Sequence, residues 1–144
     1  MRVVVQRVKE AKVFVDQNIT GEIKKGFLLY VGIHENDTEE NVKKMATKIH
    51  NLRIFEDENG KMNLNLAHVE GSILAISQFT LYGDTKGNNR PSFILAARPE
   101  KANMLYEDLC KQLSMHHKVE KGIFQAHMEV ESINDGPVTI IIEI

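Results

Sequence analysis

The sequence predicts an α+β fold, with a barrel-like or two-layer antiparallel β core and two main helices. Segments rich in β-branched and aromatic residues occur near both ends and in the middle of the chain. Two stretches between them carry apolar residues at helical spacing. The 144 residues, 42% of them hydrophobic, suffice for one sizeable core and not for two independent ones. We therefore expect a single domain spanning residues 1–144.

The N-terminal third is predicted to form strands. Residues 3–8, 13–16 and 27–33 are rich in valine, isoleucine and phenylalanine, and Gly21 and Gly26 separate them. Short connections of this kind join antiparallel strands. The chain should therefore begin with an antiparallel sheet.

The next segment is predicted to be a helix. Asp37 is a suitable N-cap, and Glu40 follows it by three residues, as in a capping box. Apolar residues then recur at the spacing of one helix face, at Val42, Met45, Ala46, Ile49 and Leu52.

The middle of the chain is predicted to hold a buried strand and a loop. A turn at residues 57–60 precedes residues 72–79, which are apolar enough to form a central strand. Residues 83–91 contain two glycines, two asparagines and a proline, so we expect a flexible surface loop.

The last third is predicted to form a second helix and two further strands. Pro99 is suited to a first helical turn. One apolar face follows it, at Ala102, Leu105, Leu109 and Leu113. Residues 128–133 and 138–144 have the composition of strands and close the chain.

Charge and composition exclude several classes of protein. The net charge of -2 gives no overall basic field, so any contact with RNA must come from local lysines and arginines. Cys110 is the only cysteine and is expected to be a buried thiol. Gln6 and Arg7 break the first apolar run, so we expect no signal peptide, no membrane partner and a cytoplasmic location.

The usual signatures of catalysis are missing. Ser77 has no flanking glycines, unlike the serine of a nucleophile elbow. His116 and His117 are adjacent, so they do not share the face that two metal ligands need. No glycine motif for phosphates or dinucleotides occurs. We expect neither a metal nor a cofactor, which leaves backbone groups and the substrate itself to do the chemistry.

Two motifs carry a family resemblance. The first, at the end of the central strand, is Ser77-Gln78-Phe79-Thr80-Leu81, and the second, near the C-terminus, is Asn134-Asp135-Gly136-Pro137-Val138-Thr139. Together with residues 1–8, 53–57, 88–93 and 122–124, they resemble the D-aminoacyl-tRNA deacylase (D-tyrosyl-tRNA(Tyr) deacylase) family over essentially the whole chain. Gln125 departs from the family pattern, which often has a small residue there.

The resemblance implies an editing enzyme that hydrolyses the ester of D-aminoacyl-tRNA, and of glycyl-tRNA mischarged on tRNA(Ala). Four residues would line the aminoacyl pocket and offer main-chain amides to the ester carbonyl: Ser77, Gln78, Phe79 and Thr80. The resemblance also implies help from the 2′-hydroxyl of the terminal ribose. Because an aminoacyl ester is already activated, an aligned water and donors for the oxyanion are the main requirements.

The resemblance further implies a homodimer with a chiral filter. Gly136 and Pro137 of one subunit would enter the pocket of the other through a cis peptide bond, capture the substrate amino group and exclude an L side chain. From the residues alone a trans bond is commoner, since only about 5–6% of X-Pro bonds in folded proteins are cis. Glycine carries hydrogens at both positions, so its ester should pass the filter.

Several side chains have two interpretations. Arg7 either braces the Gly-Pro turn by hydrogen-bonding its carbonyls or is a solvated strand residue. Asn134 and Thr139 would fix the turn through side-chain to backbone hydrogen bonds. Phe124 and Met128 pack either near the terminal adenosine of the tRNA or simply in the core.

Alternative functions remain open at this point. Lys86 and Arg90 in the predicted loop either contact tRNA phosphates or are solvated. The chain could be a nucleic-acid-binding module without catalysis, which retardation of tRNA without hydrolysis would reveal. It could also be a small-molecule esterase that uses Ser77 or Thr80 as nucleophile, which a covalent acyl intermediate would reveal.

Overall fold

A computed structural model describes all 144 residues. The elements, in order, are β1 (Arg2–Val15), β2 (Asn18–Ile23), β3 (Gly26–Gly32), α1 (Glu39–Asn51), β4 (Phe55–Glu56), β5 (Met62–Leu64), β6 (Ser72–Ser77), a 3-10 turn (Phe79–Tyr82), α2 (Pro99–Ser114), β7 (Val119–Lys121) and β8 (Glu129–Glu143). The predicted α+β class with two main helices is confirmed.

The main sheet is built around β1. Its strand order is β2-β1-β3-β6-β7, and β8 pairs with β1 along the other edge. The first half of β1 pairs with β3 and the second half with β2. A Cβ added to Gly21 in β2 would lie only 2.7 Å from the Lys121 carbonyl oxygen in β7. The two ends of the strand order therefore meet, and the sheet curls into a nearly closed barrel.

The curled sheet buries both of its faces. In β3, Phe27 and Leu29 belong to the larger core, which the two helices share, whereas Leu28 belongs to a smaller core made only of strand residues. Strand β6 divides its residues in the same way, because successive side chains point to opposite faces. Burial of both faces explains why β3 and β6 are continuous apolar runs.

The sheet is mixed rather than purely antiparallel. Strand β6 is parallel to both β3 and β7. The connection from β3 to β6 contains α1, and parallel neighbours need such a crossover. A Cβ on Gly26 would overlap the Ser72 carbonyl oxygen, so only glycine lets β3 and β6 begin side by side.

Several predicted strand boundaries were wrong. Strand β1 is continuous over Arg2–Val15, and β8 is continuous over Glu129–Glu143. The two support each other, because β8 pairs with β1 from one end to the other. The polar residues that interrupt the apolar pattern therefore lie inside long paired strands. Strand β2 was not predicted, and β6 ends at Ser77, before Gln78 and Phe79.

Helix α1 begins one residue later than predicted. Its N-cap is Thr38 and not Asp37, and the capping box is closed by Asn41, whose Oδ1 accepts the Thr38 N–H at 2.8 Å. Asp37 is buried instead. Its carboxylate accepts the Met1 ammonium at 2.6 Å and the His34 N–H at 2.7 Å. The buried ion pair ties the start of β1 to the connection that leads into α1.

Helix α2 begins at Pro99 and buries one apolar face, as predicted. The Tyr106 hydroxyl donates a hydrogen bond to the Ala75 carbonyl oxygen at 2.8 Å, which fixes α2 against the centre of the sheet. Cys110 is buried as expected, and burial raises the pKa of its thiol to about 12. Neither helix has the length and apolar character needed to cross a membrane.

Candidate active site

A mostly apolar cavity of about 620 Å³ opens beside the ends of two central strands. Its wall includes Val31 at the end of β3 and Ser77 at the end of β6. Pro99, at the start of α2, lies on another side. Phe124 and Met128, from the segment that precedes β8, complete it. The cavity thus joins the first predicted motif to the two predicted pocket residues.

The chain leaves β6 through a sharp turn beside the cavity. The Gln78 N–H donates to the Val31 carbonyl oxygen at 2.8 Å, which holds the strand end against β3. The first hydrogen bond of the turn runs from the Leu81 N–H to the Gln78 carbonyl oxygen, at 3.3 Å. The N–H groups of Phe79 and Thr80 precede that bond and have no acceptor within the turn.

The four predicted catalytic residues are not equally placed. Ser77, Gln78 and Phe79 line the cavity, whereas Thr80 does not. The Thr80 hydroxyl accepts a hydrogen bond from the Gln78 side-chain amide at 2.5 Å. The side chain of Thr80 therefore stabilises the turn and lies outside the cavity.

The segment that precedes β8 forms the opposite wall. Phe124 is half-buried and lies 6.3 Å from the ring of Tyr106, centroid to centroid, so it contacts both the core and the cavity. Gln125 has a φ of 63°, in the left-handed region that side chains rarely adopt. Glycine or asparagine adopts that backbone more readily than glutamine does, and nothing in the structure explains the glutamine at this position.

The Gly136-Pro137 peptide bond is cis, and both residues are exposed. They lie in a bulge of β8: Gln6 pairs with Thr139 and Val8 pairs with Asn134, so four residues of β8 lie opposite Arg7 alone. Neither Gly136 nor Pro137 lines the cavity of its own chain. Within one chain, the two motifs that carry the family resemblance therefore form separate sites.

Arg7 is buried, which rules out the solvated interpretation. Its Nε donates to the Asp135 carbonyl oxygen at 3.1 Å, and its Nη1 donates to the Ile54 carbonyl oxygen at 2.8 Å. The Asp135 carboxylate also lies 3.6 Å from Nε. Arg7 thus holds the residue just before Gly136 rather than the carbonyls of Gly136 and Pro137 themselves.

Asn134 and Thr139 close the base of the bulge. The Asn134 Nδ2 donates to the Thr139 Oγ1 at 3.1 Å, and the Val138 N–H donates to the Asn134 Oδ1 at 3.1 Å. The Gln6 side chain adds a longer hydrogen bond to Thr139, at 3.3 Å. The bulge is therefore held at both of its ends and by Arg7 between them.

Several cavity residues were not predicted. They come from the segment before α2, from α2 itself and from the stretch after Phe124, and include Phe93, Ala97, Ala102 and His127. Only Phe93 lies in a segment with a family resemblance. The others are placed by tertiary packing, which leaves no local signal.

Two further predicted positions lie elsewhere. Lys86 and Arg90 are exposed in the surface loop and do not line the cavity. No group of three or more His, Cys, Asp or Glu side chains is arranged so that it could hold a metal ion.

Solved structures share this fold. The c-Myc DNA Unwinding Element Binding Protein superposes with a TM-score of 0.93 and 39% sequence identity, covering 99% of this chain and 98% of that chain. A structure described as a probable eukaryotic D-amino acid tRNA deacylase has a TM-score of 0.86 over 99% and 98% of the two chains. Its 17% identity shows the fold alone.

Proteins named D-aminoacyl-tRNA deacylase are similar along the whole chain. The one from Halothermothrix orenii is 55% identical over 144 residues, covering 99% of this chain and 97% of the relative. That from Lactobacillus gasseri is 53% identical over 145 residues, covering 100% of both chains. The family model described as D-Tyr-tRNA(Tyr) deacylase matches residues 4–143. The resemblance of the two motifs is thereby confirmed, and the chain belongs to the D-Tyr-tRNA(Tyr) deacylase family.

Proposed function

We propose that the protein is an editing enzyme that hydrolyses the ester between a D-amino acid and tRNA, releasing both. Family membership makes it a hydrolase of the aminoacyl-tRNA ester. The structural observation that carries the proposal is the strand-end motif, Ser77 to Phe79, in the wall of an apolar cavity. We expect the enzyme to act in the cytoplasm, on charged tRNA.

The main chain of the turn is suited to hydrolysing an activated ester. The N–H groups of Phe79 and Thr80 would donate to the ester carbonyl oxygen and to the oxyanion that forms when water attacks. A water held on the opposite face of the carbonyl supplies the nucleophile, and the 2′-hydroxyl of the terminal ribose assists it. Orientation of an already reactive ester contributes much of the acceleration.

The cavity accepts the end of the tRNA through apolar contacts. Phe124 and Met128 offer an aromatic face and a polarisable thioether to the terminal adenine ring. Phe93 and Ala102 add apolar surface on the other side. A volume of about 620 Å³ is in the range of small-molecule sites, which suits an aminoacyl group with part of its nucleoside.

We assign the choice between D and L amino acids to Gly136 and Pro137 of a second subunit. Three features support this: the bulge is exposed, it is braced by Arg7 and Asn134, and it does not line the cavity of its own chain. Main-chain carbonyls there would accept the substrate ammonium group, and the backbone would occupy the space that an L side chain needs. The active unit is therefore a homodimer.

Such a filter reads the arrangement at Cα and not the side chain. It should accept D-amino acids of different size and should also pass glycine, which has no side chain to exclude. We therefore expect glycyl-tRNA(Ala) to be hydrolysed while L-alanyl-tRNA(Ala) persists. Equal resistance of these two esters would contradict the filter.

The primary test compares hydrolysis of D-tyrosyl-tRNA and L-tyrosyl-tRNA by the purified protein. We expect rapid loss of the D ester and stability of the L ester. Arg7→Ala, which frees the Asp135 carbonyl, should reduce the ratio of the two rates. Lys111→Ala, an exposed substitution in α2 that lies outside both sites, serves as the control. No hydrolysis of either ester would reject the proposed function.

A nucleic-acid-binding module without catalysis is the second candidate. The observation in its favour is the 39% identity to a solved protein named for binding the c-Myc DNA unwinding element. Retardation of tRNA or DNA by the purified protein, with no hydrolysis of any D-aminoacyl ester, would select this function.

A further inference from the structure

The 3-10 turn that carries the Phe79 and Thr80 N–H groups is exposed at its first two residues, where the Phe79 ring contacts that of Phe93 at 5.0 Å, centroid to centroid. Phe79 is 55% exposed and Thr80 is also exposed. The hydrogen bonds from Leu81 to Gln78 and from Gly83 to Thr80 are internal to the segment. Something outside the turn must therefore fix its position relative to the cavity.

Arg2, at the start of β1, reaches this turn. Its Nη1 donates to the Leu81 carbonyl oxygen at 2.6 Å, and its Nε donates to Glu143 in β8 at 2.5 Å. The guanidinium carbon also lies 5.0 Å from the centre of the Tyr82 ring. The planar guanidinium thus connects β1, β8 and both final residues of the turn, a geometry that a lysine ammonium cannot reproduce.

The surface beneath the turn leaves little room for a side chain at Gly32. Gly32 lies opposite Arg2 in the pairing of β1 with β3. A Cβ on Gly32 would lie 3.1 Å from the Leu81 Cβ and 3.3 Å from Tyr82 Cε2. The absence of a side chain at this position therefore lets the turn lie directly on β3.

Tyr82 anchors the end of the turn. It is buried, and its ring lies 5.1 Å from the imidazole of His34 in an edge-on arrangement. Burial raises the pKa of its phenol to about 12. Arg2 and Tyr82 stack as a cation on an aromatic face, which adds to the hydrogen bond to Leu81.

We propose that Arg2 is a positioning residue, which holds the Phe79–Tyr82 turn against Gly32 and so places the main-chain donors of the active site. The inference rests on the proposed deacylation at this turn. Arg2 does not line the cavity, and it acts through the Leu81 carbonyl and the Tyr82 ring. Its loss should lower the rate of the chemical step and leave the affinity for tRNA unchanged.

The test measures kcat and KM for D-tyrosyl-tRNA in Arg2→Ala and Arg2→Lys. Because a displacement of about 1 Å can lower a rate about 100-fold, we expect kcat to fall roughly 10-fold to 100-fold in Arg2→Ala, with KM within about twofold. Arg2→Lys should recover part of the loss, since an ammonium can still bind the Leu81 carbonyl. Glu143→Gln keeps an acceptor for Nε and should retain the activity of the parent protein.

A second measurement separates positioning from general stability and from the assignment of the reaction. Hydrogen exchange should become faster in Arg2→Ala at residues 78–83 and stay unchanged in α2. This readout needs no substrate, so it tests whether Arg2 holds the turn even if the parent protein hydrolyses no ester. Unchanged exchange at residues 78–83 would overturn the inference, as would a kcat within twofold of the parent or a loss that appears in KM alone.

Discussion

At the scale of single residues, the proposed chemistry depends on the main chain more than on side chains. The Thr80 hydroxyl accepts a hydrogen bond from the Gln78 amide, which is not a base and cannot take the proton of a nucleophile. Ser77 lies at the strand end without the glycines that expose a catalytic serine. Both side chains are therefore better explained as parts of the wall and of the turn.

We predict that Ser77→Ala and Thr80→Ala each lower kcat less than about 10-fold. Removing an oxyanion donor typically lowers the rate 100-fold to 1,000-fold, but these substitutions leave the N–H groups in place. Single-turnover hydrolysis of D-tyrosyl-tRNA measures the effect. Complete loss in Thr80→Ala, or a covalent acyl intermediate on either residue, would instead indicate a side-chain nucleophile.

At the scale of elements, the ends of α1 and α2 meet through histidines. His50 Nδ1 lies 2.9 Å from His117 Nε2, so one of the two rings donates to the other. The ring of His116 is 4.5 Å from that of His50, centroid to centroid. The sequence places His116 and His117 together but gives no sign of His50, which lies 67 residues earlier than His117.

This contact predicts a pH-dependent stability. Burial, helped by the nearby His50 and His116, lowers the pKa of His117 from its ordinary value of 6.5. Below pH 6.5 the unfolded chain therefore binds a proton at this residue more readily than the folded one, and the stability falls until the pH passes the lowered pKa. Above pH 6.5 the effect disappears.

Urea unfolding between pH 7.5 and pH 5 measures this dependence. His117→Gln keeps a donor for His50 and removes the titrating group, so its stability should fall less over this range than that of the parent protein. The carboxylates titrate equally in both proteins, which makes the difference specific to His117. Parallel pH profiles would contradict the prediction.

At the scale of the whole molecule, Gly136 and Pro137 lie outside the cavity of their own chain. The proposed filter therefore needs a second copy of the protein, whose Gly136 and Pro137 enter the cavity of the first. The strand β8 pairs only with β1, which leaves its other edge free. It also exposes Ile133 and Ile141, at 50% and 65% of their surface. An unpaired edge with exposed isoleucines is a suitable surface for self-association.

We predict that Ile141→Lys shifts the protein towards a monomer and weakens the hydrolysis of D-tyrosyl-tRNA. Sedimentation measures the mass, and activity measured over a range of protein concentrations should recover as the dimer forms. Met115→Lys changes an equally exposed apolar residue beyond α2 and is the matched control. A fully active monomer would rule out a filter that a second subunit supplies.

The local pattern predicted the elements better than their boundaries. Apolar spacing located both helices and the central strand, since amphipathic periodicity is written in consecutive residues. It misplaced the N-cap of α1, because Asp37 and Thr38 are both good caps and only the buried ammonium of Met1 decides between them. It also gave no basis for the burial of Arg7, which depends on the bulge of β8.

The sequence by itself determined the fold class, the family and the residues of both motifs, because these depend only on which residues occur and in which order along the chain. Only the tertiary structure decided that Ser77 and Met128 share a cavity while Gly136 and Pro137 lie outside it. It also decided that Arg2 reaches Leu81, 79 residues away. Such contacts form because the mixed sheet curls and brings together residues that lie far apart in the sequence. The pattern of neighbouring residues along the chain therefore does not predict them.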